Sequence, residues 1–325
     1  MNRIVLSTTL TLAAFTPFAV RGQDLPENPN RLSLGPTFGL NFKADFYNVN
    51  PGPAAGGANH TYNDGYVLRY SSGNAGGLTG NWGYQNASQV AGDTIQFHAI
   101  QDSSSATDNP QYGGELIYQR VIGSLPLMSG DWGLEAGFGF TELDLRENRS
   151  GTVPVTMDSY QLNGVLPPGA PYNGTFNGPG ALLGDTPTRT TTSATLTSQQ
   201  KLSGQLFSLR LGPFAEWKFT DQLSLAASVG LTLAPAMVDY DFSETATIAR
   251  GGGTLASSGH SSETKLLYGP YVGAMLRYDF DKSWGVYVGA RFQNLTDLNQ
   301  SAGGHAARLD PGATVYATAG VSWKF

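Results

Sequence analysis

The stretch that decides the fold is LSLGPTFGLNFKADF, residues 32–46. Leu32, Leu34, Pro36, Phe38, Leu40, Phe42, Ala44 and Phe46 are apolar, and Ser33, Gly35, Thr37, Gly39, Asn41, Lys43 and Asp45 lie between them. Successive side chains of an extended strand point to opposite faces, so this run has one greasy and one polar face. A helix would repeat every 3.6 residues, and this segment does not. Its length, about fifteen residues, is well beyond the ~5–6 of an ordinary soluble strand. It suits a strand tilted across a bilayer.

The same period recurs along the chain. Trp132, Leu134, Ala136, Phe138 and Phe140 alternate with Gly133, Glu135, Gly137, Gly139 and Thr141. Phe207, Leu209, Leu211, Pro213, Ala215, Trp217 and Phe219 do so with Arg210, Glu216 and Lys218 among their neighbours. Leu223 to Leu233, Leu266 to Phe280, Trp284 to Phe292 and Val315 to Phe325 continue it. Counting back from the end, strands are predicted near 313–325, 284–297, 263–280, 222–242, 203–219, 131–146, 115–123 and 32–46. That gives eight, with both termini on one side. Residues 65–70 and 93–101 are two further candidates, which make ten the alternative.

Alternation alone also fits a soluble sandwich, and three features argue for a membrane barrel. The polar faces carry unlike charges and tyrosines: Glu135, Arg210, Glu216, Arg277, Asp279, Arg291, Tyr271 and Tyr287 would suit a narrow lumen crossed by ion pairs. Connections alternate between short, as at 220–222 and 281–283, and long, as at 148–200, 248–262 and 298–312. Short periplasmic turns and long outer loops mark outer-membrane barrels. Finally, Trp132, Trp217, Phe219, Tyr278, Phe280, Trp284, Trp323 and Phe325 gather beside the short turns, as an interfacial periplasmic girdle would.

Composition agrees. Charged residues make up 14% of the 325 and aromatics 11%, against about 25% charged in an ordinary soluble domain. With no Cys, disulfide scaffolds, thiolate metal sites, cysteine nucleophiles and lipid-modified amino termini are excluded. The net charge of −6 leaves no electrostatic footprint for nucleic acid. Residues 1–22 read as a cleavable signal peptide, with Arg3 before an apolar stretch from Ile4 to Val20 and the small Gly22 before Gln23. Cleavage would remove Arg3 and Arg21 and take −6 to −8. No later run reaches the ~18 apolar residues of a membrane helix. An exported chain of this kind is either soluble outside the inner membrane or a closed barrel, the other backbone that satisfies itself in lipid. Residues 23–325 are then expected to form one barrel domain.

The chain stops at Val321-Ser322-Trp323-Lys324-Phe325, with Val321, Trp323 and Phe325 on one face. This resembles the terminal strand signal by which bacterial outer-membrane proteins are read by their insertion machinery. From about Leu32 to Phe325 the chain is similar to the small outer-membrane β-barrel superfamily, which includes the transmembrane domain of outer-membrane protein A and small hydrophobic-channel barrels. The resemblance implies an all-β, antiparallel, up-and-down transmembrane barrel in the bacterial outer membrane. It implies as partners the outer-membrane lipids and the barrel-insertion machinery, and it carries over no site residue.

Barrels of this kind include enzymes, whose sites need a base, a nucleophile or a metal. The four histidines are His60, His98, His260 and His305, and His is the commonest general base. His60, His260 and His305 fall in expected loops, where solvated side chains are the plain reading. His98 reads as a lumen hydrogen-bonding group beside Gln96 and Thr94. The run His260-Ser261-Ser262-Glu263 is no triad by itself, because neighbours on an extended segment point apart. Asp239 and Asp241 share a face, but a calcium site needs more oxygens, which only Asp64, Asp297 or Asp310 could bring. No phosphate or dinucleotide loop is present, and no cofactor or metal is expected. The stretch 148–200, with six prolines between Pro154 and Pro187 and with Tyr160, Tyr172 and Phe176, suggests an ordered cap, together with 47–92. The expected function is a barrel with a side-chain-filled lumen, serving structure or recognition through its loops. The alternatives are a narrow porin or transporter for small or apolar solutes, and a surface hydrolase requiring His60, His260 or His305 to meet a carboxylate or Ser in space. The expected partner at the loops is a small solute or a surface ligand.

Overall fold

The computed structural model describes residues 27–49, 59–69, 78–107, 110–125, 130–174, 182–249 and 253–325. The signal segment expected at 1–22, Phe176, and Pro179 lie outside the described residues. Eight antiparallel strands form the frame: β1 (Asn30–Leu40), β2 (Gln111–Leu125), β3 (Gly130–Gln161), β4 (Thr188–Lys218), β5 (Leu223–Ile248), β6 (Thr254–Asp279), β7 (Trp284–Gln293) and β8 (Thr314–Lys324). They pair in the order β2-β1-β8-β7-β6-β5-β4-β3, and the β2–β3 pairing closes the ring. Every strand therefore has two neighbours over its lower part and the sheet has no edge there. Phe325 N donates to Asn30 O at 3.0 Å, so the two ends of the described chain meet at the short-turn end. Two turns there are fixed by side chains: Thr220 Oγ1 accepts from Leu223 N at 2.9 Å, and Asp281 Oδ1 from Trp284 N at 2.7 Å.

The ten-stranded alternative does not hold. Gly65–Leu68 sits in a small sheet with His60–Tyr62 and Asn81–Tyr84, and Thr94–Ile100 pairs with the tip of β3. Neither enters the ring.

The strands run further than the sequence led us to expect. β3 has 32 residues and β4 has 31, so 148–161 and 188–200 are strand and only 162–187 connects them. Likewise β6 begins at Thr254, and 298–312 holds the strands Leu298–Ala302 and His305–Asp310. β3 to β6 thus project as half a cylinder above the other four. Along these strands the pattern inverts. Low on β3 the outward residues are Leu134 and Phe138 and the inward ones Glu135 and Thr141; above Phe140 the outward residues are Glu142 and Arg146 and the inward ones Leu143 and Leu145. β4 inverts between Phe207 and Leu206, and β6 between the outward Leu266 and the inward Leu267.

The opening stretch, residues 32–46, is correspondingly two strands and not one. β1 ends at Leu40, Asn41 adopts the left-handed region with φ 68°, which Asn tolerates better than most, and Lys43–Asn48 follows. Leu34, Phe38 and Leu40 are exposed on the barrel's outside, whereas Phe42, Ala44 and Phe46 are fully buried. The chain has turned inward. Lys43–Asn48 joins His305–Asp310, Leu298–Ala302 and Ser103–Ala106 in a four-stranded sheet. That sheet packs against the concave face of the projecting wall through Phe42, Phe46, Leu143, Leu202, Tyr240 and Leu309, among others. A second core, with Tyr62, Trp82, Phe97 and Tyr160, seats residues 59–69 and 78–100 on the outer face of the wall near its tip.

Candidate functional site

The expected lumen residues come together inside the ring. Glu115 accepts from Arg210 at 2.8 Å and from Arg291 at 2.5 Å. Glu216 lies 3.3 Å from Arg277 and 3.4 Å from Arg31, and accepts from Ser224 Oγ at 2.6 Å. Asp279 meets Arg31 at 3.3 Å and Lys324 at 2.5 Å. Glu135 takes hydrogen bonds from Gln119 at 2.6 Å and from the Tyr271 hydroxyl at 3.3 Å, and Arg277 also donates to Gln119. The Arg210 and Arg291 guanidinia stand over the rings of Tyr271 and Tyr316, 5.7 and 4.4 Å from their centroids. Gly137 makes room for one of them, since a Cβ there would lie 2.6 Å from Arg210 Nη2. All eight residues expected to line the lumen are buried, the six charged ones and both tyrosines. Sequence reasoning missed Glu115, Gln119, Arg31 and Lys324. The first two were legible, because they alternate with Leu116 and Tyr118 on the strand already expected at 115–123.

Above this lattice stands the apolar core. Tyr316 joins the two, with its ring edge-on to Phe42 at 6.0 Å and under the Arg291 guanidinium on its other side. Removing the four-stranded sheet from the wall would expose Phe42, Phe46, Leu298 and Leu309, at about 1.5–3 kcal/mol each. That sum, about 6–12 kcal/mol, keeps the roof shut against thermal motion. Below the lattice, at the short-turn end, an open recess of about 530 Å³ is lined by Arg31, Gln119, Asp131, Glu216, Asp279 and Lys324. It ends against the ion pairs.

The eight girdle residues all lie at the short-turn end. Phe219, Tyr278, Phe280, Trp284, Trp323 and Phe325 are exposed, and Trp132 and Trp217 half-buried, on the outward face. Trp284 stacks on Trp323 and Trp323 on Phe325. Above them a belt of exposed apolar side chains, including Leu34, Leu116, Leu211, Val229, Val272 and Val288, runs round the outside of the ring.

The histidines are held in four different ways. His305 Nε2 is 2.8 Å from Glu244 Oε2, its Nδ1 faces Gly303 O at 3.3 Å, and its ring stacks on Phe242 at 4.1 Å. Ser198 Oγ donates to the other oxygen of Glu244 at 2.7 Å. A nucleophilic serine needs its hydroxyl on the base; here it is on the carboxylate, and both imidazole nitrogens are engaged. His260 Nδ1 pairs with Asp241 at 2.8 Å in solvent, while Ser261 Oγ turns to Gln300. His98 Nδ1 and backbone N both bind the buried Asp64 carboxylate, at 2.8 and 2.7 Å. His60 packs beside Tyr62 and Tyr160, where burial lowers its pKa. Asp158, wholly buried, accepts from the Tyr62 hydroxyl at 2.8 Å and is gripped by both arms of Arg189 at 2.8 Å; burial pushes the Tyr62 and Tyr160 hydroxyls up. The carboxylates weighed for calcium are dispersed: Asp64 with His98, Asp241 with His260, Asp297 with Arg308, and Asp310 capping Gly312 N. Among the described residues no three His, Asp or Glu converge as a metal would require.

No family model matches the chain, and no curated protein does. Among solved structures, the fold is similar to the outer membrane protease OmpT from Escherichia coli, at 12% identity over 92% of this chain and 97% of that one, with a TM-score of 0.33. It is similar to Ail, the attachment invasion locus protein of Yersinia pestis, at 11% identity over 92% and 99%, with a TM-score of 0.29. A Pseudomonas aeruginosa FadL homologue follows at 10% identity over 91% and 90%, with a TM-score of 0.18. Likenesses this distant concern strand arrangement alone, and no activity passes from them to this chain.

Proposed function

We propose that this chain is exported by residues 1–22 and resides in the bacterial outer membrane as a sealed, non-enzymatic barrel. Its work is then recognition by the ordered body above the membrane. The observation that carries the reading is the double closure of the lumen, first by the Glu115, Glu216 and Asp279 ion-pair lattice and then by the Phe42–Tyr316 apolar roof. The exposed apolar belt between the girdle and the inversion line supports the membrane setting, since a bilayer offers a hydrocarbon band about 25 Å tall to such a barrel. Short turns and termini are periplasmic in this setting, and Val321, Trp323 and Phe325 face lipid, where insertion machinery would read them.

The test is conductance. Residues 23–325 are refolded into a planar lipid bilayer, with folding verified by heat-dependent gel mobility. A silent bilayer is expected. Stable, reproducible current steps would overturn the sealed reading in favour of a channel.

A further inference from the structure

The recess at the short-turn end has a floor and a rim of opposite charge. Its floor is the bottom of the ion-pair lattice. Higher up, two guanidinia meet two carboxylates: Glu115 holds Arg210 and Arg291, and Glu135 reaches Arg210 through Tyr271, whose hydroxyl it binds and whose ring lies under that guanidinium. Lower down, Arg31, Arg277 and Lys324 face Glu216 and Asp279. Asp131, the other buried carboxylate at this level, is taken by Lys218 at 2.7 Å. Three cations therefore share two carboxylates among the described residues of the floor. Arg31 Nη1 and Arg277 Nε are also buried without a hydrogen-bond partner, and Arg31, 6% exposed, lines the recess. A water molecule would satisfy the Arg31 donor but leave the buried charge uncompensated. An anionic group does both.

The rim carries the reverse imbalance. Asp221 and Asp281, both exposed, stand on the two short turns that border the recess, while Glu27 and Lys282 beside them pair at 3.7 Å. Asp281 is fixed in place, because its Oδ1 accepts from Ser283 N and Trp284 N, both at 2.7 Å. The turns are fastened to the floor as well: Asp279 N donates to Gln222 O at 2.9 Å, and Lys324 N to Ser283 O at 2.7 Å. Two residues separate Asp279 on the floor from Asp281 on the rim, a span of at most about 7 Å. An extended dipeptide has that same reach.

We propose that this recess binds a zwitterionic dipeptide by its two free ends. The terminal carboxylate sits on the floor at Arg31 and Lys324, and the terminal ammonium sits at the rim between Asp221 and Asp281. Val121 and Pro29 give the peptide an apolar wall. Opposite charges at the two ends of the site fix the direction in which the peptide enters. The site lies at the other end of the barrel from the recognition body, and in the membrane setting proposed above it opens to the periplasm.

Calorimetric titration of the folded chain in lipid nanodiscs, which leave both ends of the barrel open, tests it with alanyl-alanine. Saturable binding at millimolar peptide is expected. N-acetylation of the peptide and amidation of its carboxyl end should each weaken it at least tenfold. Asp221→Asn should weaken the free dipeptide at least threefold and leave the N-acetylated one unchanged. Lys324→Gln should weaken the free dipeptide at least threefold and leave the amidated one unchanged. Should Lys324→Gln lose heat-dependent gel mobility, Asp221→Asn and the capped peptides decide. Acetate binding as tightly as the dipeptide would make the floor a plain anion site and overturn the proposal. An amidated dipeptide that binds equally would leave only a cation site at the rim and overturn it too. So would a titration without saturation, or an Asp221→Asn variant that binds like the parent. Current steps in a bilayer would sink the sealed-barrel reading and leave the outcome of this titration as it stands.

Discussion

Replacing Glu115 by Ala tests the lumen lattice most severely. Its side chain is 1% exposed and accepts from two guanidinia, Arg210 at 2% and Arg291 at 7% exposure. The substitution leaves both cations buried and facing one another across the space that the carboxylate held. Removing one partner of a buried pair costs about 3–5 kcal/mol, which is roughly two to nearly four orders of magnitude in the folded-to-unfolded ratio at 1.36 kcal/mol per decade. The converse follows from the same physics. A triple variant, Glu115→Leu with Arg210→Met and Arg291→Met, removes the desolvated charges together and should be neutral or more stable by about 1–4 kcal/mol. Urea titration in lipid vesicles, read by tryptophan fluorescence and heat-dependent gel mobility, measures both. A cost below about 1 kcal/mol for Glu115→Ala, or a triple variant weaker than the single one, would refute the account of the lattice as a closed set of buried pairs. Glu115→Ala should also stay silent in a bilayer, because the roof of Phe42 and Tyr316 remains. Current steps from it would refute the roof.

Gly137→Ala sets a methyl 2.6 Å from Arg210 Nη2 and should cost about 1–3 kcal/mol by overpacking, measured in the same titration. Phe46→Ala empties the centre of the upper core and should cost that region about 3–5 kcal/mol; limited proteolysis should then cut the upper body while the membrane ring stays protected. Burial pushes the Glu244 carboxyl up, but the hydrogen bond and charge of His305, the Ser198 hydroxyl and the Arg149 charge outweigh it and hold it below its ordinary value. The unfolded chain takes up that proton first, near about 4.3, so the stabilisation is complete above that pH and is lost as pH falls through the lower folded value. Glu244→Gln should flatten the decline in protease resistance between about pH 5 and pH 3; an unchanged decline would count against the pair. His60 works in the same direction at higher pH. Its lowered pKa means that the unfolded chain protonates first below about 6.5, so acidification destabilises the packing of residues 59–69 and 78–100, and His60→Gln should remove that slope in amide exchange.

The ring was legible because an apolar outside and a charged inside write a plain period of two. What lay above it was less so, for two physical reasons. Beyond Glu147 the outward face of β3 and β4 is Asn148, Ser150, Thr152, Thr195 and Thr197, and the inward face mixes Val153, Val155, Ala194 and Leu196 with Arg149 and Ser198. Such contrast is weak enough to read as loop. At Asn41 the parity of the apolar residues is kept while the chain changes direction, so Phe42, Ala44 and Phe46 extend the pattern of Leu34, Phe38 and Leu40 without sharing their surroundings. The meetings of His305 with Glu244 and of His98 with Asp64 span 61 and 34 residues, and no local spacing encodes them.

In the proposed membrane setting, the inversion along β3, β4 and β6 lets one continuous wall be a membrane barrel below and an ordinary soluble sheet above. A strand holds each side chain to one face, so Glu135 and Leu145 look into the same interior. What changes is the medium on the other side. Against hydrocarbon, apolar residues such as Leu134 gain by facing out, and the polar groups of the lumen must satisfy one another. Against water, apolar residues gain by facing in, and Leu143, Leu202 and Leu267 find Phe42, Phe46 and Leu309 there. The line through Phe140, Phe207 and Leu266 is therefore where this wall should leave the hydrocarbon. It is also where the lumen changes from ion pairs to packed side chains, so the boundary of the bilayer and the base of the roof are set by one switch in the sequence.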